Sequence, residues 1–255
     1  MKKILIFFIF LFFSIMACEK EKNKKNKLIV VLLDLSESTN KPEIRKLYVN
    51  SFVKILDKIT HGDALFVAPI TEKSMLEPNF IIEEKRIVPL DLSFNVNLLE
   101  KKKIERKKRD ELKKKKEEIK NQVTNILINP KRKILKTDIL SSLNMVDERI
   151  FRVADYKNFN KMLIIMSDMI EDSYSYNFEN EDLTSEKIKS IINQRKRDGL
   201  IPNLQGVKVY VVGAQARTLK KFLQIKDFWM NYFKETGAIL LEQNYSSSSP
   251  LSICE

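Results

Sequence analysis

Leu28–Ser38, LIVVLLDLSES, is the stretch from which the fold can be read. Leu28 to Leu33 are apolar without a break and rich in Val, Ile and Leu. A run apolar on both faces suits a central strand of a sheet covered on both sides. The run stops at Asp34, and Ser36 and Ser38 follow at alternate positions. In an extended turn, residues two apart direct their side chains the same way, so these three oxygens can face one point.

Similar runs follow at Ala64–Ile70, Met162–Met166, Val207–Val212 and Ala238–Leu241. Between them apolar residues recur every three or four positions. In 42–59 they are Ile44, Leu47, Tyr48, Phe52, Ile55, Leu56 and Ile59. In 138–154 they are Ile139, Leu140, Leu143, Val146, Ile150 and Val153. In 217–235 they are Leu219, Phe222, Leu223, Phe228 and Phe233, with Gly237 as the stop. Strands alternating with helices give an α/β fold, doubly wound, with a mainly parallel sheet flanked by helices.

Two segments depart from this rhythm. Residues 80–92, FIIEEKRIVPLDL, have two short extended pieces around charged residues, and Pro89 suits only an edge. An antiparallel edge hairpin is expected. Residues 97–127 contain no Gly or Pro and are dominated by Lys and Glu, which predicts a long charged helical insertion. Its apolar residues crowd only at the two ends, so both ends should dock while the middle stays solvated. Ile104, Leu112 and Ile119 are too few for a coiled-coil seam.

The beginning of the chain reads differently again. Met1-Lys2-Lys3 is a short basic start, and Ile4–Met16 is almost purely apolar. That run falls short of the roughly 20 residues a membrane-spanning helix needs, and it fits the core of a secretion signal. It closes on Ile15-Met16-Ala17-Cys18, which resembles the lipobox of bacterial lipoproteins, with Met16 the unusual member. The resemblance implies a signal peptide at 1–17, lipid on Cys18, and export to a bacterial membrane surface. Cys254 is then left without a partner, so no disulfide holds the domain. Residues 18–27 read as the lipidated cysteine and a flexible basic tether, 28–245 as the domain, and 246–255 as a loosely ordered tail.

The formal charge is +12, and it is unevenly spread. Residues 19–27 hold five Lys against two Glu, and 98–120 hold twelve Lys and Arg against six acids. The globular remainder is near neutral, which argues against nucleic acid as a partner. The tether is suited to anionic headgroups.

Two further oxygen donors stand where strands end and helices begin: Thr137 in KTDILSSL and Asp168 in MLIIMSDMIED. With Asp34, Ser36 and Ser38 they make a set of hard ligands suited to Mg²⁺ or Mn²⁺ rather than zinc. The alternative is that they are turn and cap residues. The set resembles the metal-ion-dependent adhesion site of the von Willebrand factor type A (VWA) family. That site has Asp-x-Ser-x-Ser after the first strand, a later Thr and a later Asp, in this order. The resemblance covers about residues 28–245. It implies a Rossmann-like VWA fold, a cation held by Asp34, Ser36, Ser38, Thr137 and Asp168, and an open position for an Asp or Glu of a protein partner.

Catalysis fits the sequence less well. His61 is the one histidine, in a turn-like ITHGDAL. A phosphohydrolase of the haloacid dehalogenase type needs a second carboxylate where Ser36 stands, and a serine cannot serve as its acid. The expected protein is not an enzyme. An interaction protein using the helix 97–127 instead of a metal is the alternative. Glu171, Asp172, Tyr174 and Tyr176 form a polar loop past Asp168 that could contact a ligand, while Phe228, Trp229, Tyr232 and Phe233 read as core.

Overall fold

The computed structural model describes residues 25–72, 74–90, 97–130, 134 and 136–250. The signal segment 1–17, Cys18, most of the tether and Cys254 lie outside the described residues.

Every residue of strand β1 (Lys27–Asp34) is buried, as its unbroken apolar run requires. Helix α1 (Pro42–Lys58) starts on Pro42, whose fixed φ suits a first helical position and whose missing N–H costs nothing there. Strand β2 (Ala64–Ile70) and a short β3 (Ile82–Glu84) follow, then helix α2 (Leu98–Ile128) and helix α3 (Ile139–Val146). Strand β4 (Asn160–Met166), helix α4 (Ser185–Arg197), strand β5 (Lys208–Val212), helix α5 (Leu219–Glu235) and strand β6 (Ile239–Ser246) complete the order.

The strands form one sheet in the order β3-β2-β1-β4-β5-β6. Only β3 runs antiparallel, against β2. Alternate residues of β1 serve opposite faces. Ile29, Val31 and Leu33 pack with Tyr48, Phe52 and Ile55 of α1 and with Ile119, Val123 and Leu127 of α2. Leu28, Val30 and Leu32 belong to the core on the other face, with Leu143 of α3, Ile188 of α4 and the aromatic residues of α5. Phe228, Trp229, Tyr232 and Phe233 are all fully buried there, as read from the sequence.

The structure corrects the sequence reading in several places. Of the hairpin expected at 80–92, the described residues 80–90 form one three-residue strand at the edge. Past Glu84 the chain bends, and Ile87 exchanges backbone hydrogen bonds with Gly62 and Asp63 at 2.8 and 2.7 Å instead of forming a second strand. The helix expected over 138–154 stops at Val146 and passes through a π-helical turn, Asp147–Phe151, and a 3₁₀ turn, Ala154–Tyr156. Buried Asp147 fixes that change: its carboxylate accepts from Arg152 at 2.7 Å and from the Asn203 N–H at 2.7 Å. Helix α4 carries too few apolar residues to show a clear period, and the sequence reading passed over it. The helix read over 217–235 is present as α5, with Leu219 and Leu223 on its exposed side. Lys27 belongs to β1 rather than the tether. Ser246 closes β6, and Tyr245 beside it is buried, so the tail begins later than expected. In α2 only the C-terminal part docks. Its first residues, Leu98 and Leu99, are 68% and 80% exposed.

Candidate metal centre

The strands β1 and β4 lie side by side, with Leu33 opposite Met166, while β2 lies on the other side of β1. Chain order therefore reverses between β1 and β4. Their C-terminal ends flank the crevice where open α/β sheets place ligands. Asp34 ends β1, and Asp168 follows β4 by two residues.

The first loop is held by its own polar groups. Asp34 is fully buried, and its carboxylate accepts from the Ser36 N–H at 2.9 Å and from the Ser167 hydroxyl at 2.8 Å. Thr39 donates its hydroxyl to the carbonyls of Asp34 and Ser36, at 3.0 and 3.1 Å. Arg45, reaching up from α1, donates to the Asp34 carbonyl at 2.9 Å. With the carbonyls so occupied, the hydroxyls of Ser36 and Ser38 stand 3.1 Å apart, and Ser38 donates to Asp168 at 2.7 Å. The second carboxylate oxygen of Asp168 accepts from the Ile170 N–H at 3.0 Å.

Asp168 is aimed by an uncommon backbone. Met169 has φ 67°, in the left-handed region that non-glycine residues seldom occupy. Such strain persists where surrounding contacts over-determine it. Here the Ser167 hydroxyl accepts from the Met169 N–H at 2.9 Å, and the indole N–H of Trp229 donates to the Met169 carbonyl at 2.8 Å.

Thr137 reaches the same crevice from the far side. Its backbone pairs antiparallel with Asp172, with N–H···O bonds of 2.9 Å in both directions. Asp138, the next residue, caps α3 by accepting from the Ser141 N–H at 2.8 Å. Ser36, Ser38, Thr137 and Asp168 line one cleft of about 590 Å³, and Asp34 stands behind it, fixed to Ser36 and Ser167.

Electrostatics make this cleft short of positive charge. Burial raises the Asp34 carboxyl above its ordinary range, opposed by its hydrogen bonds to Ser36 and Ser167 and by Arg45. Burial, and then the charge of Asp34, push Asp168 up to about 7. Tyr48 beneath them is also raised, by burial first and then by both aspartates, and its buried hydroxyl has no hydrogen-bond partner. Two buried carboxylates beneath hydroxyls that converge on the cleft match the donor set of a small divalent cation. Among the described residues no group of three or more His, Cys, Asp or Glu could hold a metal ion, so a site here has to draw on hydroxyl ligands as well. The residues fit a hard, oxygen-ligated ion.

The loop past Asp168 differs from expectation. Glu171 is fully buried, and its carboxylate accepts from the Ile139 and Leu140 N–H groups at the start of α3, at 2.9 and 3.2 Å. It serves the helix N-terminus, where an acidic group is favoured, and cannot face a ligand. Asp172 lines the cleft but is engaged by Lys136 at 3.0 Å and Asn177 at 3.1 Å. Tyr176 is half-buried against Phe178. Of the four only Tyr174 is largely exposed, at 84%. His61 sits in its expected turn, its ring nitrogen 2.8 Å from the Val88 carbonyl.

Several site residues escaped the sequence reading. Ser167 was findable, since it stands directly before Asp168. Thr39 lies one past Ser38. Arg45 acts from a helix and gave no local signal, and Trp229, read as core, also holds the Met169 carbonyl. Glu179 and Arg217, paired at 2.7 Å, line the cleft from segments that carry no motif.

The six-stranded, mostly parallel sheet flanked by helices is a doubly wound α/β sheet. No protein-family model matches the sequence, and no curated protein matches it. Among solved structures, proximal thread matrix protein 1 from the mussel byssus, with a zinc-occupied MIDAS motif, is similar at TM-score 0.41 and 16% identity. The match covers 86% of this chain and 44% of that one. The pilus adhesin SpaC from Lactobacillus rhamnosus GG is similar at 0.42 and 13%, over 84% of this chain and 27% of that one. The manganese-loaded TRAP protein of Plasmodium vivax is similar at 0.38 and 12%, over 78% and 62%. The chain thus spans less than two thirds of each of these proteins.

Proposed function

We propose that the chain is a bacterial lipoprotein, exported and held at a membrane through Cys18, whose VWA-like domain binds a protein partner through a divalent cation. The observation that supports this best is the convergence of Ser36, Ser38, Thr137 and Asp168 on one cleft, with Asp34 fixed behind them. Ser36, Ser38 and Thr137 would hold the ion through hydroxyls, and Asp34 and Asp168 would hold the shell around it, largely through bound water. A bound Mg²⁺ or Mn²⁺ supplies an electrophilic position that an Asp or Glu of the partner can occupy. The mainly neutral hydroxyl ligands leave charge on the ion for that carboxylate to neutralise.

The chain's own groups prepare the cleft. Thr39 and Arg45 hold the backbone of the first loop, and Ser167 and Trp229 hold the turn that presents Asp168. Arg217 at the cleft is 81% exposed and stands where it could meet an acidic partner. The reading is non-catalytic. Ser36 occupies the position where a phosphohydrolase needs an acid, and His61 sits in a turn that does not line the cleft. A pull-down with the immobilised full chain tests it. Partner capture should require Mg²⁺ or Mn²⁺ and be lost in EDTA and in Ser38→Ala. Capture unchanged by EDTA would contradict it.

A further inference from the structure

The pole opposite the metal cleft carries a second surface. The parallel strands begin there, and the described chain enters there at Lys25. A cleft of about 610 Å³ at this pole is lined by Lys25, Lys27, Lys58, Lys161 and Lys208, with Asp57 the acid among its lining residues. Lys27 is 8% exposed, donates to the Lys58 carbonyl and stands 3.8 Å from Asp63. Lys161 donates to the Phe151 carbonyl at 2.7 Å. The Phe151 carbonyl orients the Lys161 ammonium group without cancelling its charge, whereas the charge of Lys27 is met by Asp63.

Helix α2 adds to the same pole. Lys115 pairs with Glu84 at 2.7 Å, and Glu84 lies opposite Leu65, near the start of β2. Lys116 reaches the Asp57 carbonyl at 3.4 Å. Further along, Gln122 donates to the Ile81 carbonyl, and Ile126 lines one cleft with Pro69, near the far end of β2. The helix therefore climbs the edge of the sheet from Lys115 onward. Leu112 still packs on the core, and the turns before it extend past the pole, by about 20 Å to Leu98 at 1.5 Å per residue. Residues 98–115 hold ten Lys and Arg against four acids. At the tip, exposed Leu98 and Leu99 sit beside Lys101, Lys102 and Lys103.

We propose that this pole docks on a bilayer carrying anionic headgroups, with Leu98 and Leu99 entering the headgroup layer and the metal cleft turned away. Lysines around a small apolar tip are the composition of an interfacial contact. The chain entry, the lysine cleft and the protruding helix share one side of the molecule, so one surface can engage all three. The proposal does not depend on whether the cleft at the far end holds a metal.

Lysine footprinting with a membrane-impermeant acylating reagent, read by mass spectrometry, tests it. The full chain is reconstituted in vesicles of phosphatidylcholine, or of phosphatidylcholine mixed with phosphatidylglycerol. Labelling of Lys58, Lys161, Lys208 and Lys101–Lys103 should fall several-fold on the mixed vesicles and recover in high salt. Lys46 and Lys220, at the metal end, should be labelled equally on both. Replacing Lys101, Lys102 and Lys103, all exposed, by Glu should restore labelling of Lys161 and Lys208. Equal labelling on both vesicles would overturn the proposal. So would the same protection from dissolved inorganic phosphate on phosphatidylcholine alone, which would mark a small-anion cleft instead.

Discussion

Met169 places a left-handed backbone directly after Asp168, and only two side-chain hydrogen bonds answer for it. Trp229→Phe keeps most of the buried ring but leaves the Met169 carbonyl without its donor. It should cost about 1–3 kcal/mol in chemical denaturation, the penalty of an unpaired buried polar group. It should also weaken cation binding, because the turn that aims Asp168 relaxes. Titration of Asp168 gives a second prediction. Its folded value near 7 lies above the ordinary carboxyl value of 3.8. The stability it contributes is thus fully present below about pH 4 and lost as pH rises through 7. The metal-free domain should melt at a higher temperature at pH 5 than at pH 8, and added Mg²⁺ should raise the melting point more at pH 8. Thermal scans with and without EDTA check both. At this scale the sequence was informative where a residue's neighbours in the chain define its role, as for Asp34-x-Ser36-x-Ser38. It was silent where the role comes from across the fold. Glu171 looked like a surface acid, and its burial at the start of α3 depends on the pairing of Thr137 with Asp172.

Helix α2 is two things joined end to end. Ile119, Val123 and Leu127 are spaced four apart and bury one stripe against α1 and the sheet. The first turns have Leu98 and Leu99 on an otherwise charged surface. Leu127→Ala should cost about 2–5 kcal/mol by removing a fully buried side chain. Leu99→Ala should leave the denaturation midpoint unchanged. Finding both equally costly would mean that the start of the helix is docked after all. Periodicity explains which elements could be read in advance. The apolar runs of β1, β2, β4 and β5 are strands within a residue or two of expectation, since a buried parallel strand needs no alternation. Helix α4 buries Ile188, Ile191, Ile192 and Arg195 on a strongly polar background, too faint a stripe to stand out. The hairpin expectation failed because the chain after Glu84 bonds to the turn at Gly62–Asp63, a long-range contact that no local pattern announces.

For the whole molecule, the strand order does the assembling. Asp34 and Asp168 are far apart in the chain and neighbours in space because β1 and β4 pair in parallel with matched ends. The α/β class follows from the alternation of strand and helix signals, but the order β3-β2-β1-β4-β5-β6 depends on which edges pair, and that is not written in any one segment. The central claim is that this order builds a divalent-cation site from hydroxyls and two buried carboxylates. Calorimetric titration of Mn²⁺ into the full chain tests it most directly, beside Asp34→Ala, Ser38→Ala, Asp168→Ala and the exposed control Leu99→Ala. One site per chain is predicted for the wild type and the control, with affinity at least about tenfold weaker in the three site variants, as loss of about 1.4 kcal/mol or more requires. Equal, weak binding by all five proteins would contradict the claim.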